Sequence, residues 1–216
     1  MTTTVSDSAA PATKGQVMRS SARFYDLMVW LLTFGRERSF RERLVELARL
    51  QPGESVVDVG CGTGTLAIAA KRRVGPSGIV HGIDASPEMI ARANRKAKKQ
   101  GIDVTFRTAV VETLPFPDRH FDVVLSTLML HHLPRATREQ SAREIRRVLK
   151  PGGRVLAVDF GMPGRHRKGI ISHLHRRGHL SLDSVIELLS ASGMKVVESG
   201  PVGVRDLHFT VATTRG

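Results

Sequence analysis

The residues best placed for chemistry form a glycine cluster that directly follows a short apolar run. The cluster, Gly-Cys-Gly-Thr-Gly, spans 60–64, and Asp58 stands just before it. Glycines at such a place let a ligand approach the backbone, and the helix that follows offers free N–H donors and a positive dipole end. The cluster therefore predicts a ligand-binding loop, with a plain tight turn as the alternative.

A second carboxylate, Asp84, ends the next apolar run, twenty residues after Gly64. A carboxylate there can accept hydrogen bonds from both hydroxyls of a ribose, which predicts a ligand with an adenosine-like sugar. The alternative is that Asp84 only caps the helix expected to begin at Pro87. Ser86 fits that capping role at least as well, because a serine directly precedes the helical proline.

Two adjacent histidines, His131 and His132, follow the fourth predicted strand and are candidates for a general base. Histidine titrates in the range that such a base requires, while a structural role is the alternative for both residues. Asp159, at the end of the fifth predicted strand, is expected to face the same pocket. The sequence alone assigns no catalytic residue.

Disulfide and metal chemistry are not indicated. Cys61 is the only cysteine, and because it lies inside the glycine cluster, where a small side chain is needed, we interpret it as a packing residue. His173, His175 and His179 are clustered, but no neighbouring cysteine or carboxylate completes a ligand set. We predict no bound metal.

The composition is that of one ordinary globular domain with a basic surface. Of the 216 residues, 41% are hydrophobic and 25% are charged, and 33 basic against 20 acidic residues give a net charge of +13. Such an excess favours phosphates, anionic lipid surfaces or acidic substrates. No apolar run reaches the roughly 18 residues of a membrane-spanning helix. Residues 1–17 carry no secretion signal and are expected to form a flexible tail, which favours a cytoplasmic location.

Apolar runs and helical periodicities alternate along the rest of the chain. Strands are predicted at 55–59, 79–83, 104–107, 121–126, 154–160, 195–199 and 207–213. Helices are predicted over 20–50, with a break at Gly35, from just after Gly64 through Arg73, and at 87–100, 136–149 and 181–192. Continuous apolar strands between helices indicate a parallel sheet covered on both faces, and a short link at 200–203 predicts a final hairpin. We therefore predict a Rossmann-like, doubly wound α/β fold with helices on both faces of a mostly parallel seven-stranded sheet that has one antiparallel strand.

The chain resembles the class I S-adenosylmethionine-dependent methyltransferases, in particular the ubiquinone/menaquinone biosynthesis methyltransferase group. The matching segments are VVDVGCGTG (56–64), GIDASPEMIARA (82–93), LPFPDRHFDVV (114–124), LHHL (130–133) and REIRRVLKPGGRVLAVDF (143–160). A nicotinamide dehydrogenase would instead carry G-x-G-x-x-G after its first strand. The resemblance implies an enzyme that uses S-adenosyl-L-methionine as its cofactor.

The resemblance also implies a cofactor site made of Tyr25, Asp58, Gly60, Gly62, Thr63, Asp84, Ala85, Val110, Val111 and Thr127. Asp58 would fix the loop around the methionine end, which Thr127 would also line, and Asp84 would bind the ribose near an adenine beside Ala85. Where relatives carry Asp or Asn followed by Ala, this chain has Val110-Val111, which leaves backbone donors and apolar contact for the adenine. Tyr25 matches a helix that relatives fold over the cofactor, with ordinary packing as its alternative.

We expect a single methyltransferase domain over 18–216, with a helical cap at 18–50 and a short basic substrate-side segment at 161–180. The basic segment is predicted to meet a phosphate, a carboxylate or an anionic membrane, or to be a solvated loop. Apolar residues 24–34 lie beside Arg36, Arg38, Arg41 and Arg43. That arrangement fits an interfacial membrane helix and equally a helix packed on its own domain.

The favoured function is methylation of a small organic acceptor, such as a lipophilic quinone precursor or a phospholipid head group, with peripheral membrane contact. Quinone-type enzymes typically carry Arg-Asn where this chain has His131-His132. An RNA or protein methyltransferase is the second hypothesis, which the net charge favours and the lack of a recognisable nucleic-acid module or NPPY-like signature disfavours. A non-catalytic relative that binds the cofactor or a partner is the third. The acceptor atom and the oligomeric state are not readable from the sequence.

Overall fold

The computed structural model describes residues 37–161, 181–204 and 206–215. Several predictions from the sequence lie outside these residues. They are the tail at 1–17, the part of the cap before residue 37, Tyr25, the basic segment beyond Gly161, and the group of His173, His175 and His179. In the described part, no helix has both the length and the apolar character needed to cross a bilayer.

Five helices and seven strands make up the described chain. The helices are α1 (Glu37–Leu47), α2 (Thr65–Val74), α3 (Pro87–Gln100), α4 (Arg135–Val148) and α5 (Leu182–Ala191). The strands are β1 (Ser55–Val59), β2 (Ile79–Asp84), β3 (Thr105–Thr108), β4 (Phe121–Thr127), β5 (Leu149–Phe160), β6 (Lys195–Pro201) and β7 (Leu207–Thr213), and a 3-10 turn follows β4 at Leu130–His132.

The strands form one seven-stranded sheet in the order β3-β2-β1-β4-β5-β7-β6. β1 pairs in parallel with both β2 and β4, whereas β7 runs antiparallel to both β5 and β6. The predicted fold class and its single antiparallel strand are thus confirmed. The chain reverses direction across the sheet between β1 and β4, and ligands of open α/β sheets bind at the carboxyl ends of the strands beside such a reversal.

Successive side chains of β1 point to opposite faces of the sheet, so they belong to two different parts of the hydrophobic core. Val56 belongs to a cluster with Leu44 of α1 and Leu66 of α2. Val57 belongs to a second cluster with Ile145 of α4 and Leu189 of α5. Residues that share the face of Val56, including Asp58, therefore point toward the layer that contains α1 and α2.

Most predicted boundaries agree with the structure to within two residues, but two are wrong by more. The first helix was expected to continue to residue 50, but α1 ends at Leu47 and Arg49 adopts a left-handed φ of 52°. The fifth strand was expected to begin at 154, but β5 begins at Leu149, where it pairs with Phe121 before an irregularity in the register. Gly152 lies inside that irregularity with a φ of 73°, so the turn that the sequence predicts there is accommodated within a longer strand.

Candidate functional site

The loop after β1 is held by the end of β2. The backbone amides of Gly60 and Cys61 both donate to the carbonyl oxygen of Ile83 at 2.9 Å. Gly60 has a φ of +73°, and a Cβ placed on it would lie 2.6 Å from the Cγ atom of Met129. Glycine is required here because the backbone is left-handed and because Met129 occupies the space that a side chain would need.

The last glycine of the loop has a similar packing reason. Gly64 precedes α2 with a φ of 76°, and a Cβ placed on it would lie 2.5 Å from the Cζ atom of Phe106 in β3. The sequence predicts that the glycines admit a ligand to the backbone. At Gly60 and Gly64 the structure gives a second reason for glycine, because the side chains of Met129 and Phe106 occupy the space beside them.

Asp84 is the last residue of β2, and its carboxylate is hydrogen-bonded to two segments of backbone. Its Oδ2 atom accepts from the amide of Gly62 and its Oδ1 atom accepts from the amide of Ser86, each at 2.9 Å. Burial raises the pKa of Asp84, while the amides of Ser86 and Gly62 lower it. The hydroxyl of Ser86 accepts from the amide of Met89, so Ser86 is the cap of α3, as its position before Pro87 predicts.

The residues expected around the adenine lie beside Asp84. The amide of Ala109 donates to the backbone carbonyl of Asp84 at 3.0 Å, which brings the 109–111 segment next to the end of β2. Ala85 and Val110 are half-buried at this place. The side chain of Val111, in contrast, is part of the hydrophobic core on the α4 and α5 side.

Four residues of the predicted methionine end line one narrow cavity, namely Asp58, Gly60, Thr63 and Thr127. Asp58 is only 2% exposed, and its Oδ2 atom and the hydroxyl of Thr127 have no hydrogen-bond partner among the residues that the structure describes. Burial raises the pKa of Asp58 from 3.8 to about 7, which the charge of Arg41 opposes and the charge of Asp84 reinforces. The hydroxyl of Thr63 accepts from the ammonium group of Lys96 at 2.8 Å.

Arg41 of α1 lines the same cavity, and sequence reasoning missed it. The sequence grouped Arg41 with its basic neighbours beside an apolar stretch and assigned it no place in the site. Arg41 is 8% exposed, whereas the side chain of Arg38 is 90% exposed. The spacing carried a signal, because Arg41 falls on the helical stripe of Leu44 and Val45, both of which are buried.

A histidine and a carboxylate meet at the carboxyl ends of β4 and β5. The Nδ1 atom of His131 lies 2.7 Å from the Oδ1 atom of Asp159, and the backbone amide of His131 donates to Oδ2 at 3.1 Å. Asp159 is 4% exposed and accepts a third bond from the amide of Phe160. Because a carboxylate only accepts, this contact places the proton of a neutral His131 ring on Nδ1 and leaves Nε2 with its lone pair.

The ring of His132 lies against that of His131, with the two ring centres 3.8 Å apart. Burial lowers the pKa of His132, and the neighbouring His131 lowers it further. Of the two candidate bases, His131 is the one whose ring is oriented by a carboxylate. Cys61 is buried, and burial raises the pKa of its thiol well above its ordinary value, in agreement with its interpretation as a packing residue.

The model of a family described as a methyltransferase domain matches residues 56–153, which contain the glycine loop, Asp84 and His131 but end before Asp159. The demethylmenaquinone methyltransferase of Thermus thermophilus is 38% identical over 151 residues, which are 70% of this chain and 67% of that protein. The chain belongs to the class I S-adenosylmethionine-dependent methyltransferases of the UbiE-like group. S-adenosyl-L-methionine is the cofactor of this family, as the glycine loop and the resemblance imply.

Other relatives of this methyltransferase agree with the assignment. The ubiquinone/menaquinone biosynthesis C-methyltransferase UbiE of Ectopseudomonas mendocina is 38% identical over 151 residues, which are 69% of this chain but only 58% of that protein. The chain therefore spans less than two thirds of the length of this relative. Among solved structures, a SAM-dependent methyltransferase from Aquifex aeolicus has a TM-score of 0.75 at 24% identity, over 92% of this chain and 99% of that one. This likeness concerns the fold.

Proposed function

We propose that this methyltransferase methylates a small hydroxylated aromatic acceptor of the quinol type and that His131 removes the proton that the acceptor must lose. The observation that carries the proposal is the contact between His131 and Asp159 at the ends of two neighbouring strands. A carboxylate that orients an imidazole through one ring nitrogen leaves the other nitrogen directed away as a base.

The cofactor would be held by the loop after β1 and its neighbours. The carboxylate of Asp84 keeps lone pairs beyond those used by the two amides, so it retains acceptors for the ribose hydroxyls. In the described part of the chain, the Oδ2 atom of Asp58 and the hydroxyl of Thr127 have no partner, and both fit the polar methionine end. Val110 and Ala85 supply a half-buried apolar border for the adenine.

When bound, S-adenosylmethionine supplies a methyl group on a sulfonium, which passes to the acceptor as the sulfur–methyl bond breaks and neutral S-adenosylhomocysteine is released. The Nε2 atom of His131 takes the proton of the acceptor's hydroxyl group, or of the ring carbon that is methylated. Asp159 holds the imidazole in the required tautomer and stabilises the imidazolium that forms. Its bonds to the backbone of His131 and Phe160 keep it in place for that task.

A quinol acceptor is supported by the relatives, whose names assign them demethylmenaquinone and ubiquinone or menaquinone biosynthesis. Such acceptors are lipophilic, so the enzyme would work at a membrane surface. The net charge of +13 supports contact with anionic lipid on the cytoplasmic side. Quinone-type enzymes typically carry Arg-Asn where this chain has His131-His132. We propose that this chain differs there because His131 serves as its proton acceptor.

The test is a methyl-transfer assay with radiolabelled S-adenosylmethionine and four acceptors: a short-chain naphthoquinol with a free ring carbon, phosphatidylethanolamine vesicles, transfer RNA and a mixture of basic proteins. Label on the naphthoquinol is the expected result. Label only on lipid, RNA or protein would overturn the proposed acceptor class, and no label on any of them would favour a non-catalytic relative.

The role of His131 is tested by comparing His131→Gln with His132→Gln. We expect His131→Gln to lower kcat by roughly 10²- to 10⁴-fold, as loss of a general base does, with cofactor affinity unchanged. His132→Gln is the matched control and should retain most activity. Asp159→Asn should lower kcat and shift its pH profile while KM stays similar. A His131→Gln enzyme with a wild-type kcat and pH profile would contradict the assignment.

A further inference from the structure

Positive charge is concentrated on two neighbouring helices. Together α2 and α3 carry eight basic residues and one acidic residue, Glu88. In contrast, α1 carries three of each kind, and α5 carries two acidic residues and no basic one. The net charge of +13 is therefore distributed unevenly over the helices that the structure describes.

From this surface we infer that α2 and α3 dock the enzyme on a membrane that contains anionic phospholipids, with the basic side chains on the lipid phosphates. The inference rests on the proposed function, which requires a lipophilic acceptor, and deepens it by assigning the face through which the protein reaches the membrane. A short-chain acceptor in solution needs no such contact, so the two ideas can fail separately.

Direct contacts join the two helices into one surface. The guanidinium of Arg72 in α2 donates to the side chain of Gln100 in α3 at 2.6 Å. The ammonium group of Lys96 in α3 donates to the hydroxyl of Thr65 in α2 at 2.9 Å. Buried residues of both helices belong to the same core cluster. The exposed basic residues of α2 and α3 therefore lie on the outer side of one layer.

The outer face of α3 carries Arg95, Lys98 and Lys99, all of which are exposed. Spacings of three and four residues place them side by side, opposite the buried stripe of Met89 and Ala93. Like charges at these spacings destabilise a helix. The helix dipole favours Lys98 and Lys99 in the last turn, but it gives no reason for Arg95 in the middle of the helix. Folding does not require this face, which fits an external partner of opposite charge.

The charges of α1 are arranged differently. Arg38 pairs with Glu42 at 2.9 Å and Arg43 pairs with Glu46 at 3.3 Å, both at helical spacing. Interspersed charges of both signs are sufficient for a soluble surface. The single sign of α2 and α3 is therefore a local feature and not a property of every exposed helix in this chain.

A groove of about 760 Å³ between α1, α2 and α3 extends the basic surface. Two cations on its α2 side, Arg72 and Arg73, donate to neutral oxygens, namely the side-chain carbonyl of Gln100 and the backbone carbonyl of Leu50. Neither pairs with a carboxylate among the described residues. The acidic residues that line the groove belong to α1, where each lies beside an arginine of that helix. The groove thus offers guanidinium groups to a phosphate.

A lipid surface fits these helices better than a nucleic acid does. Neither α2 nor α3 contains an aromatic residue, whereas single-stranded RNA is commonly bound by stacking of its bases on aromatic side chains. Anionic lipids attract basic helices without any such contact. The proposed acceptor is itself lipophilic, so a membrane is where it would be concentrated.

The experiment measures binding to vesicles by co-sedimentation, without catalysis. The full chain is mixed with vesicles of phosphatidylcholine alone, or of phosphatidylcholine and phosphatidylglycerol in equal parts. We expect binding only to the anionic vesicles, and we expect it to weaken as salt is added. The triple variant Arg95→Gln, Lys98→Gln, Lys99→Gln should bind them about 100-fold more weakly, because each basic residue at an anionic surface contributes roughly fivefold.

The matched control removes the same charge from the other face of the sheet. The triple variant Arg135→Gln, Arg143→Gln, Arg146→Gln loses three exposed arginines of α4. It should bind anionic vesicles to within about threefold of wild type, because screening confines the attraction to charges near the lipid. Both triple variants should remain folded, since glutamine is a good helix former and all six replaced side chains are exposed.

Equal losses of vesicle binding in the two triple variants would overturn the inference, because only net charge would then matter. Undiminished binding in the α3 variant, or no binding of wild type to the anionic vesicles, would also overturn it. Loss of transfer RNA binding by the α3 variant, with vesicle binding retained, would overturn it in favour of a nucleic acid.

Failure of the docking surface can be distinguished from failure of the proposed acceptor. The α3 variant should methylate the short-chain naphthoquinol in solution as wild type does, because its substitutions lie outside the proposed site. If wild type binds anionic vesicles as expected but does not label the naphthoquinol, the proposed acceptor fails and the docking surface stands.

Discussion

The carboxylate of Asp84 accepts a hydrogen bond from the backbone amide of Gly62 at 2.9 Å. The last residue of β2 thus fixes the shape of the loop that follows β1, its neighbour in the sheet. Two signals that are separate in the sequence, the glycine cluster and the acidic residue after the next strand, are one structural unit. A change at Asp84 should therefore affect both the ligand and the loop that is proposed to hold it.

The glycine loop can be tested by a substitution with a matched control. Gly60→Ala places a Cβ 2.6 Å from Met129 at a φ of +73°, whereas Gly101→Ala, at a left-handed φ of 63° and ψ of 30°, meets nothing within 4 Å among the described residues. Both should lose about 1–2 kcal/mol of unfolding free energy because of the left-handed backbone. Gly60→Ala should lose roughly a further 1–3 kcal/mol through overpacking, measured by urea unfolding.

Equal losses of unfolding free energy in the two variants would show that the side chain of Met129 can move aside without an energetic penalty. The clash itself is tested in a Met129→Ala background, where Gly60→Ala should cost little more unfolding free energy than Gly101→Ala does.

Asp58 should make the ligand-free protein less stable as the pH rises. Its pKa is raised from 3.8 to about 7, so between these values the folded chain holds a proton that the unfolded chain lacks. The stability linked to this proton is fully present below about pH 4 and is lost as the pH rises through about 7. Asp58→Asn should therefore be more stable than wild type at pH 8, by about 2–4 kcal/mol, and nearly equal to it at pH 4.

Urea unfolding of both proteins at the two pH values checks this prediction. A difference between wild type and Asp58→Asn that does not change with pH would mean that the carboxylate is already satisfied in the folded protein.

Arg147 holds the segment between β3 and β4 onto α4. Its guanidinium donates to the carbonyl oxygens of Leu114 and Phe116 at 3.0 and 2.8 Å and to the carboxylate of Glu144. Arg147→Met leaves these acceptors unpaired, so it should lower the unfolding free energy by about 2–4 kcal/mol. Arg143→Met, on the exposed side of the same helix, is the control and should stay within about 0.5 kcal/mol of wild type.

A loss in Arg147→Met no greater than that in Arg143→Met would indicate that water replaces the guanidinium at these acceptors. Thermal or urea unfolding of the two variants distinguishes the outcomes.

Local patterns predicted the elements that carry the site. Strand β1 and helix α3 have the bounds that the sequence predicts, because an apolar run and a capped amphipathic repeat are both local signals. Asp84 and Ser86 could be assigned in the same way, since each stands at the junction of a strand or helix with a turn. The antiparallel position of β7 followed from the short link before it.

Contacts between distant residues were not predictable from local patterns. His131 and Asp159 are 28 residues apart and meet because β4 and β5 pair in parallel and end at the same edge. Met129 and Phe106 fill the space beside the loop glycines, which no spacing in the sequence indicates. Arg41 carried a signal in its place on a buried stripe, but only the packing of α1 over β1 brings it to Asp58.

The most direct test of the central claim is calorimetric titration of the wild-type protein with S-adenosylhomocysteine. The titration is repeated with Asp84→Ala and with Asp103→Ala, which removes an exposed carboxylate just before β3. Micromolar binding to wild type, in the usual range for enzyme ligands, is predicted. It should persist in Asp103→Ala and weaken by about 100-fold or more in Asp84→Ala, where the ribose acceptor and the brace on Gly62 are both lost. Absence of binding to folded wild-type protein, or equal binding to all three, would contradict the account.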